Sequence, residues 1–162
     1  MERRKRKWCI RDSSWIETLA PEEQLAEIEE WFTAVATRYP DLDYVEVVNE
    51  PLHDPPSQPG SGGGNYLEAL GGTGTTGWDW ILNAFRLART HFPNTKLLIN
   101  EYGILNSSSY PTRYLSIVHL LPAEFSIAAI CFLSLVSTTR TAYVASLMCT
   151  LALLTAEGLP SH

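Results

Sequence analysis

Two carboxylates in this sequence occupy the same local setting. Glu50 follows Asn49 after the run Tyr44-Val45-Glu46-Val47-Val48, and Glu101 follows Asn100 after Lys96-Leu97-Leu98-Ile99. Both runs read as short strands, and the C-terminal ends of parallel strands are where α/β folds gather their chemistry. A pair of carboxyl groups is the working set of glycoside hydrolysis: one gives a proton to the leaving oxygen, and the other attacks or activates water. Asn49 suits a sugar hydroxyl, because a side-chain amide both donates and accepts. Neighbouring parallel strands lie about 4.8 Å apart and a retaining pair needs about 5–5.5 Å, so spacing alone would pair Glu50 with Glu101.

The elements that must position these residues follow from periodicity. From Pro21 to Tyr39 the apolar positions Leu25, Ile28, Phe32, Val35 and Ala36 recur at helical spacing, with Pro21 in a first turn and Glu22 and Glu23 at the positive end of the dipole. Pro40 ends that helix. The first strand follows and stops at Pro51, which cannot donate to a ladder. Leu52 to Gly77 has no period and is rich in Gly and Pro, which predicts a long loop directly beyond the strand end; Pro55 to Gly64 reads equally well as a disordered insertion. Helical spacing returns at Trp78, Ile81, Leu82, Phe85, Ala88 and Phe92, then the second strand, then a third helix from Pro111 through Tyr114, Ile117, Val118 and Leu121. Alternation of this kind predicts an α/β fold with a parallel sheet covered by helices.

Charge divides the chain into three pieces. Residues 1–13 carry six basic and two acidic residues, 14–121 carry five basic and fourteen acidic, and 122–162 carry Arg140, Glu124 and Glu157 alone. The acidity behind the formal net charge of -6 therefore belongs to the middle piece, and it excludes a generic nucleic-acid binder. With 45% hydrophobic residues the chain is not disordered as a whole, and three cysteines cannot form a disulfide framework. The basic run Arg3 to Lys7 leads into no apolar stretch, so it reads as a solvated tail and not as a signal peptide. Residues 125–136 and 141–156 are each shorter than the roughly 18 to 20 apolar residues of a spanning helix. The expectation for 122–162 is an apolar, helical tail, with membrane contact through 125–156 disfavoured by length.

Other candidates carry less. His53 and Asp54 lie just past Glu50, where His53 is placed to meet substrate and the pair also fits turn chemistry. His91 and His119 sit in last helical turns and read as structural. Trp78 falls on an apolar stripe and reads as core, which leaves Trp80 to stack on a sugar. No metal spacing, P-loop or dinucleotide-binding pattern is present, so no cofactor is expected.

The phrase Val47-Val48-Asn49-Glu50-Pro51 stands in a series with Trp15-Ile16, Trp78-Asp79-Trp80-Ile81, Asn83 to Arg89, Pro93 to Leu97 and Ile99-Asn100-Glu101-Tyr102-Gly103. Over about residues 14–121 this series resembles glycoside hydrolase family 10, the endo-1,4-β-xylanase family. The resemblance implies a partial (β/α)8 TIM barrel, about strands four and five with their helices. It implies a retaining hydrolase of xylan or xylo-oligosaccharides, with Glu50 as general acid/base and Asn49 at the sugar 2-hydroxyl. Asn100, Glu101 and Tyr102 then line and support the site, and Glu101 is not the nucleophile. The family's nucleophile lies in a Thr-Glu-Leu-Asp-like phrase on the seventh strand, and its sixth strand carries Gln-x-His. Neither phrase occurs here, and no Gln or Asp follows Leu121. The third-strand phrase that supplies His, Trp and Gln is also missing before Trp15. Three pieces are thus expected: a basic segment 1–13, a partial catalytic domain 14–121 and a tail 122–162 of no assigned family, the outer two reading as products of a mis-spliced or frame-shifted gene. Little or no hydrolysis is expected of the chain alone. An extracellular location follows from the resemblance, without a signal peptide in this chain. Open sheet edges predict association.

Overall fold

The computed structural model describes residues 15–56, 65–104, 107–121 and a strand at 127–132. The ordered elements are α1 (Pro21–Arg38), β1 (Tyr44–Asn49), α2 (Asp79–His91), β2 (Lys96–Tyr102), α3 (Tyr110–Leu120) and β3 (Ile127–Phe132). Single 3-10 turns occupy Ile16–Thr18 and Glu68–Leu70. The three strands form one sheet in the order β1-β2-β3, and both pairings are parallel. A helix separates each strand from the next, as the alternation of patterns required.

Sequence explains most of these boundaries. Pro21 opens α1 without losing an intrahelical bond, and the Glu23 carboxylate accepts the Ala20 N–H at 3.1 Å, satisfying one of the donors a helix start leaves over. The buried side of α1 is Gln24, Ile28 and Phe32, one residue per turn at i, i+4 and i+8. Gln24 is buried because its amide donates to two backbone carbonyls, Ile16 at 2.8 Å and Asn65 at 3.2 Å, tying α1 to the turns on either side. At the start of α2 the Asp79 carboxylate accepts N–H groups from Thr75 and Thr76 and the Thr76 hydroxyl. Gly74 makes this possible: its φ is +54°, and a Cβ there would run into the Asp79 carboxylate. Arg89 closes the other end of α2 by donating to the carbonyls of Phe92, Pro93 and Thr95.

The core lies between the helices and one face of the sheet. Val45, Val48, Leu97 and Ile99 point into it and meet Ile28 and Phe32 of α1, Ala84, Phe85 and Ala88 of α2, and Tyr114 and Ile117 of α3. β1 is irregular: its register against β2 slips between Glu46 and Val48, so Val47 is an extra residue in the strand. The bulge resets the pleat. Glu46 and Asn49 are three positions apart and would otherwise point to opposite faces, but opposite Leu98 and Asn100 they share the face turned away from the helices.

One expectation is corrected. Residues 127–132 are not helical; they extend the sheet by pairing Ile127 to Leu97 through Phe132 to Tyr102. A continuous apolar run of this length fits a buried parallel strand as well as a helix, and periodicity alone cannot separate the two. What decides is the partner, since the second edge of β2 is open to the next strand after a helical crossover. The remainder of the tail, residues 133–162, and the loop residues 57–64 that were open to a reading as disorder lie outside the described residues. Among the described residues no helix is long and apolar enough to cross a membrane.

Candidate active site

Glu50 is the first residue past β1, and its backbone is unusual. Its φ is +52°, in the left-handed region, where Cβ sterics cost a non-glycine residue about 1–2 kcal/mol. Asn65 is the other non-glycine residue with positive φ among those described, and asparagine enters this region readily. Pro51 disfavours the right-handed helical alternative for the residue before it. Hydrogen bonds hold what sterics resist. The Glu50 N–H donates to the Asn100 carbonyl at 3.0 Å and lies 3.3 Å from Asn100 Oδ1, while the Glu50 carbonyl accepts the N–H of Asp54 at 2.8 Å and of His53 at 3.2 Å. The chain therefore leaves the strand and turns tightly over the top of β2. Strain of this kind, fixed by its surroundings, is found at functional sites more often than elsewhere.

Glu101 stands under that turn. Its side chain is fully buried, and both oxygens are engaged: Oε2 accepts the Leu52 N–H at 2.8 Å, and Oε1 accepts the Tyr102 N–H at 2.8 Å and meets His53 Nδ1 at 2.6 Å. A buried carboxyl group is tolerated where its oxygens have hydrogen-bond partners, as both do here. Glu101 continues the alternation of Leu97 and Ile99 on the helix side of β2, which places it below the sheet end and not on the face that carries Asn49.

His53 lies over the same carboxylate with about 20% of its side chain exposed. Its ring stacks on Tyr102 at 4.0 Å and meets the edge of Tyr110 at 4.8 Å. Tyr102 itself is 42% exposed, so the His53–Tyr102 pair presents an aromatic surface beside Glu50's turn. The Tyr114 hydroxyl donates to the Ile99 carbonyl at 3.0 Å. Burial, and then the nearby carboxylates of Glu101 and Glu46, raise its ionisation well above the usual tyrosine range.

Asn100 is buried and its amide is oriented by two neighbours. Nδ2 donates to Glu46 Oε2 at 2.8 Å, and Oδ1 faces the Glu50 N–H. Asn49, paired with Asn100 across the strands, is half-buried and borders a cavity of about 200 Å³ together with Glu46, Asp54, Trp31, Tyr66 and Trp80.

The structure thus joins Glu50, His53, Asn100, Glu101 and Tyr102 through direct contacts and sets Asn49 next to them. His91 and His119 stand apart, His91 with its ring 5.8 Å from Phe32. The two tryptophans exchange their expected places. Trp80 is core, with 4% exposure, whereas Trp78 is half-buried beneath the Arg113 guanidinium at 5.6 Å. The reason is that α2 begins at Asp79, which turns Trp78 out of the stripe that Trp80, Ile81, Ala84, Phe85 and Ala88 bury. Glu46 is the residue sequence reasoning passed over. Its signal was available: a single carboxylate inside an otherwise apolar strand needs a reason to be there. Among the described residues no cluster of three His, Cys, Asp or Glu is placed to hold a metal ion.

Comparison with known proteins places these features in context. The model of a family described as glycosyl hydrolase family 10 matches residues 7–159, running past residues 14 and 121 on both sides. The endo-1,4-beta-xylanase B of Cellvibrio japonicus (strain Ueda107) is 34% identical over 96 residues, which cover 59% of this chain and 14% of that protein. A solved structure of a GH10 protein from Paenibacillus barcinonensis superposes with a TM-score of 0.63 at 22% identity, over 86% of this chain and 44% of that one, a likeness of fold. The chain spans less than half the length of either.

Proposed function

The chain belongs to glycosyl hydrolase family 10, and from that membership we propose that it carries the acid/base half of a retaining site for internal β-1,4-xylosidic bonds in xylan. Its β1-α2-β2-α3-β3 run is part of a (β/α)8 barrel. In this reading Glu50 protonates the leaving oxygen of the glycosidic bond and then takes a proton from the incoming water. Asn49 meets the sugar 2-hydroxyl from the same strand end. The observation that carries the proposal is Glu50's left-handed turn at the C-terminal end of a parallel strand, held by bonds from Asn100, His53 and Asp54.

Glu101 supports the turn from below. Its oxygens are buried and fully engaged, which leaves none to attack a sugar carbon, and this favours a supporting role. His53 and Tyr102 form the wall beside Glu50, and His53 meets substrate through its exposed ring edge. A retaining mechanism needs a second carboxylate about 5–5.5 Å from the first, and no family-type nucleophile phrase occurs in the sequence. The chain alone therefore binds xylo-oligosaccharides and turns them over little or not at all.

Calorimetric titration with xylo-oligosaccharides, alongside assays on xylan and an activated aryl xyloside, tests this reading. Measurable affinity that drops in Asn49→Ala, with negligible turnover, is the expected result. Absence of any affinity for xylo-oligosaccharides overturns the substrate assignment. Robust turnover abolished by Glu50→Gln would require a nucleophile within these residues, with Glu101 the first to examine.

A further inference from the structure

We infer that Glu46 is a positioning residue for Glu50 and acts through the side-chain amide of Asn100. The inference rests on the reading of Glu50 as the proton donor, and it concerns how that residue is held. The three groups form one line of hydrogen bonds on the open face of the sheet. Glu46 Oε2 accepts Asn100 Nδ2 at 2.8 Å, and Asn100 Oδ1 stands 3.3 Å from the Glu50 N–H, which also donates to the Asn100 carbonyl at 3.0 Å.

An asparagine amide has two orientations that differ by exchange of oxygen and nitrogen, with almost no change in shape. In one, Oδ1 faces the Glu50 N–H; in the other, Nδ2 faces it, donor against donor. The Glu50 N–H favours the first, but at 3.3 Å only weakly, and a group on the far side of the amide has to reinforce it. An ionised carboxylate does, because it only accepts, so Glu46 draws Nδ2 toward itself and leaves Oδ1 aimed at Glu50. The bond is charge-assisted, and it runs from an exposed Glu46 to an Asn100 that is 7% exposed, so its Asn100 end is shielded from water. The consequence lies at Glu50. Its left-handed backbone is not a conformation a glutamate prefers; the Asn100 acceptors fix the peptide plane that enters the turn, the Asp54 and His53 bonds to its carbonyl fix the plane that leaves it, and loosening either lets φ relax. The Val47 bulge is what allows this, since it brings Glu46 to the same face as Asn49 and Asn100.

The test uses the full chain, isotopically labelled, with three nuclear magnetic resonance readouts that need no turnover: the Asn100 side-chain amide pair, the Glu50 amide and the Glu50 HN–Hα coupling that reports φ. In Glu46→Ala the Asn100 pair moves and the Glu50 coupling shifts away from its wild-type value. Glu46→Gln keeps an acceptor oxygen at the same reach but also carries a donor, and so returns both only part of the way toward wild type. In an Asn100→Ala background, Glu46→Ala produces no further change at Glu50. An unmoved Glu50 amide in Glu46→Ala, an equal movement with and without Asn100, or a Glu46→Gln that restores none of the shift overturns the proposal. Because the readouts are on the backbone and the sugar titrations are separate, loss of the xylan reading would leave this result standing, and the reverse also holds.

Discussion

Replacing Glu101 by Gln changes one oxygen into an amino group and leaves volume and shape almost untouched. The site offers three donors to that carboxylate: Leu52 N–H on Oε2, and Tyr102 N–H with His53 Nδ1 on Oε1. Whichever way the glutamine amide turns, its NH2 meets a backbone N–H. The less costly orientation puts NH2 on the His53 side, where the imidazole can offer an unprotonated Nδ1, and there Tyr102 N–H loses its acceptor. A charge-assisted bond is worth about 1.5–3 kcal/mol and a buried unmatched donor costs about 1–3 kcal/mol, with overlap between the two. Glu101→Gln is therefore expected to lose about 2–3 kcal/mol. Glu101→Ala, which leaves the Leu52 and Tyr102 donors and His53 without the carboxylate and opens a void, is expected to lose about 3–5 kcal/mol. Against a typical domain stability of about 5–15 kcal/mol, either loss moves a urea transition by a readily measured amount. Equilibrium unfolding followed by tryptophan fluorescence gives the numbers, and a His53→Ala cycle apportions the part carried by the imidazole. A Glu101→Gln midpoint within about 0.5 kcal/mol of wild type would refute the reasoning, because surface substitutions that break nothing fall within that range.

Further outcomes follow from the same geometry. The Asp79 carboxyl is held below its ordinary value, first by the Thr76 hydroxyl and then by the Thr75 N–H, so it stabilises the fold above the usual carboxylate range and that contribution fades as pH falls through its lowered folded value; Asp79→Asn should differ from wild type at neutral pH and converge with it in acid unfolding curves. Tyr114 shows the opposite sign, since its folded-state ionisation is raised by burial: stability should decline as pH rises above the ordinary tyrosine value near 10, and Tyr114→Phe should flatten that alkaline slope while costing about 1 kcal/mol at neutral pH for the bond to Ile99. Gly74→Ala places a methyl group against the Asp79 carboxylate in a left-handed position and should lower stability by about 1–3 kcal/mol, read as a lower midpoint in the same urea titration.

The helices and first two strands were legible because each carries its own punctuation. Pro21 and Pro40 bracket α1, and Pro93-Asn94 closes α2, so the boundaries follow from local chemistry. Glu50 and Asn49 stood out as candidates for a different reason, their place at a strand end together with a phrase that resembles a family's. What was hidden depends on partners distant in sequence. β3 is a strand because β2 offers an edge, and nothing in Ile127-Ala128-Ala129-Ile130-Cys131-Phe132 says so alone. The bulge at Val47 is likewise silent in a run of valines, yet it decides that Glu46 and Asn49 share a face. The tryptophans were misplaced by one residue of helix start, which rotates a side chain by a hundred degrees.

Four of the bonds that shape the site cross a large distance along the chain. Glu50 and Asn100 are separated by 50 residues, Leu52 and Glu101 by 49, His53 and Glu101 by 48, and Glu46 and Asn100 by 54. None of them can form until β1 and β2 have docked across the intervening loop and helix, so the closure entropy of that whole excursion precedes the first of these contacts. The helices, by contrast, are built from neighbours four residues apart. A chain of this kind acquires its scaffold early and its chemistry late. In the reverse direction, any fluctuation that parts the upper ends of the two strands releases Glu50 from its turn before it disturbs the core beneath, so hydrogen exchange at the Glu50 and Leu52 amides would run ahead of exchange at Leu97 and Ile99.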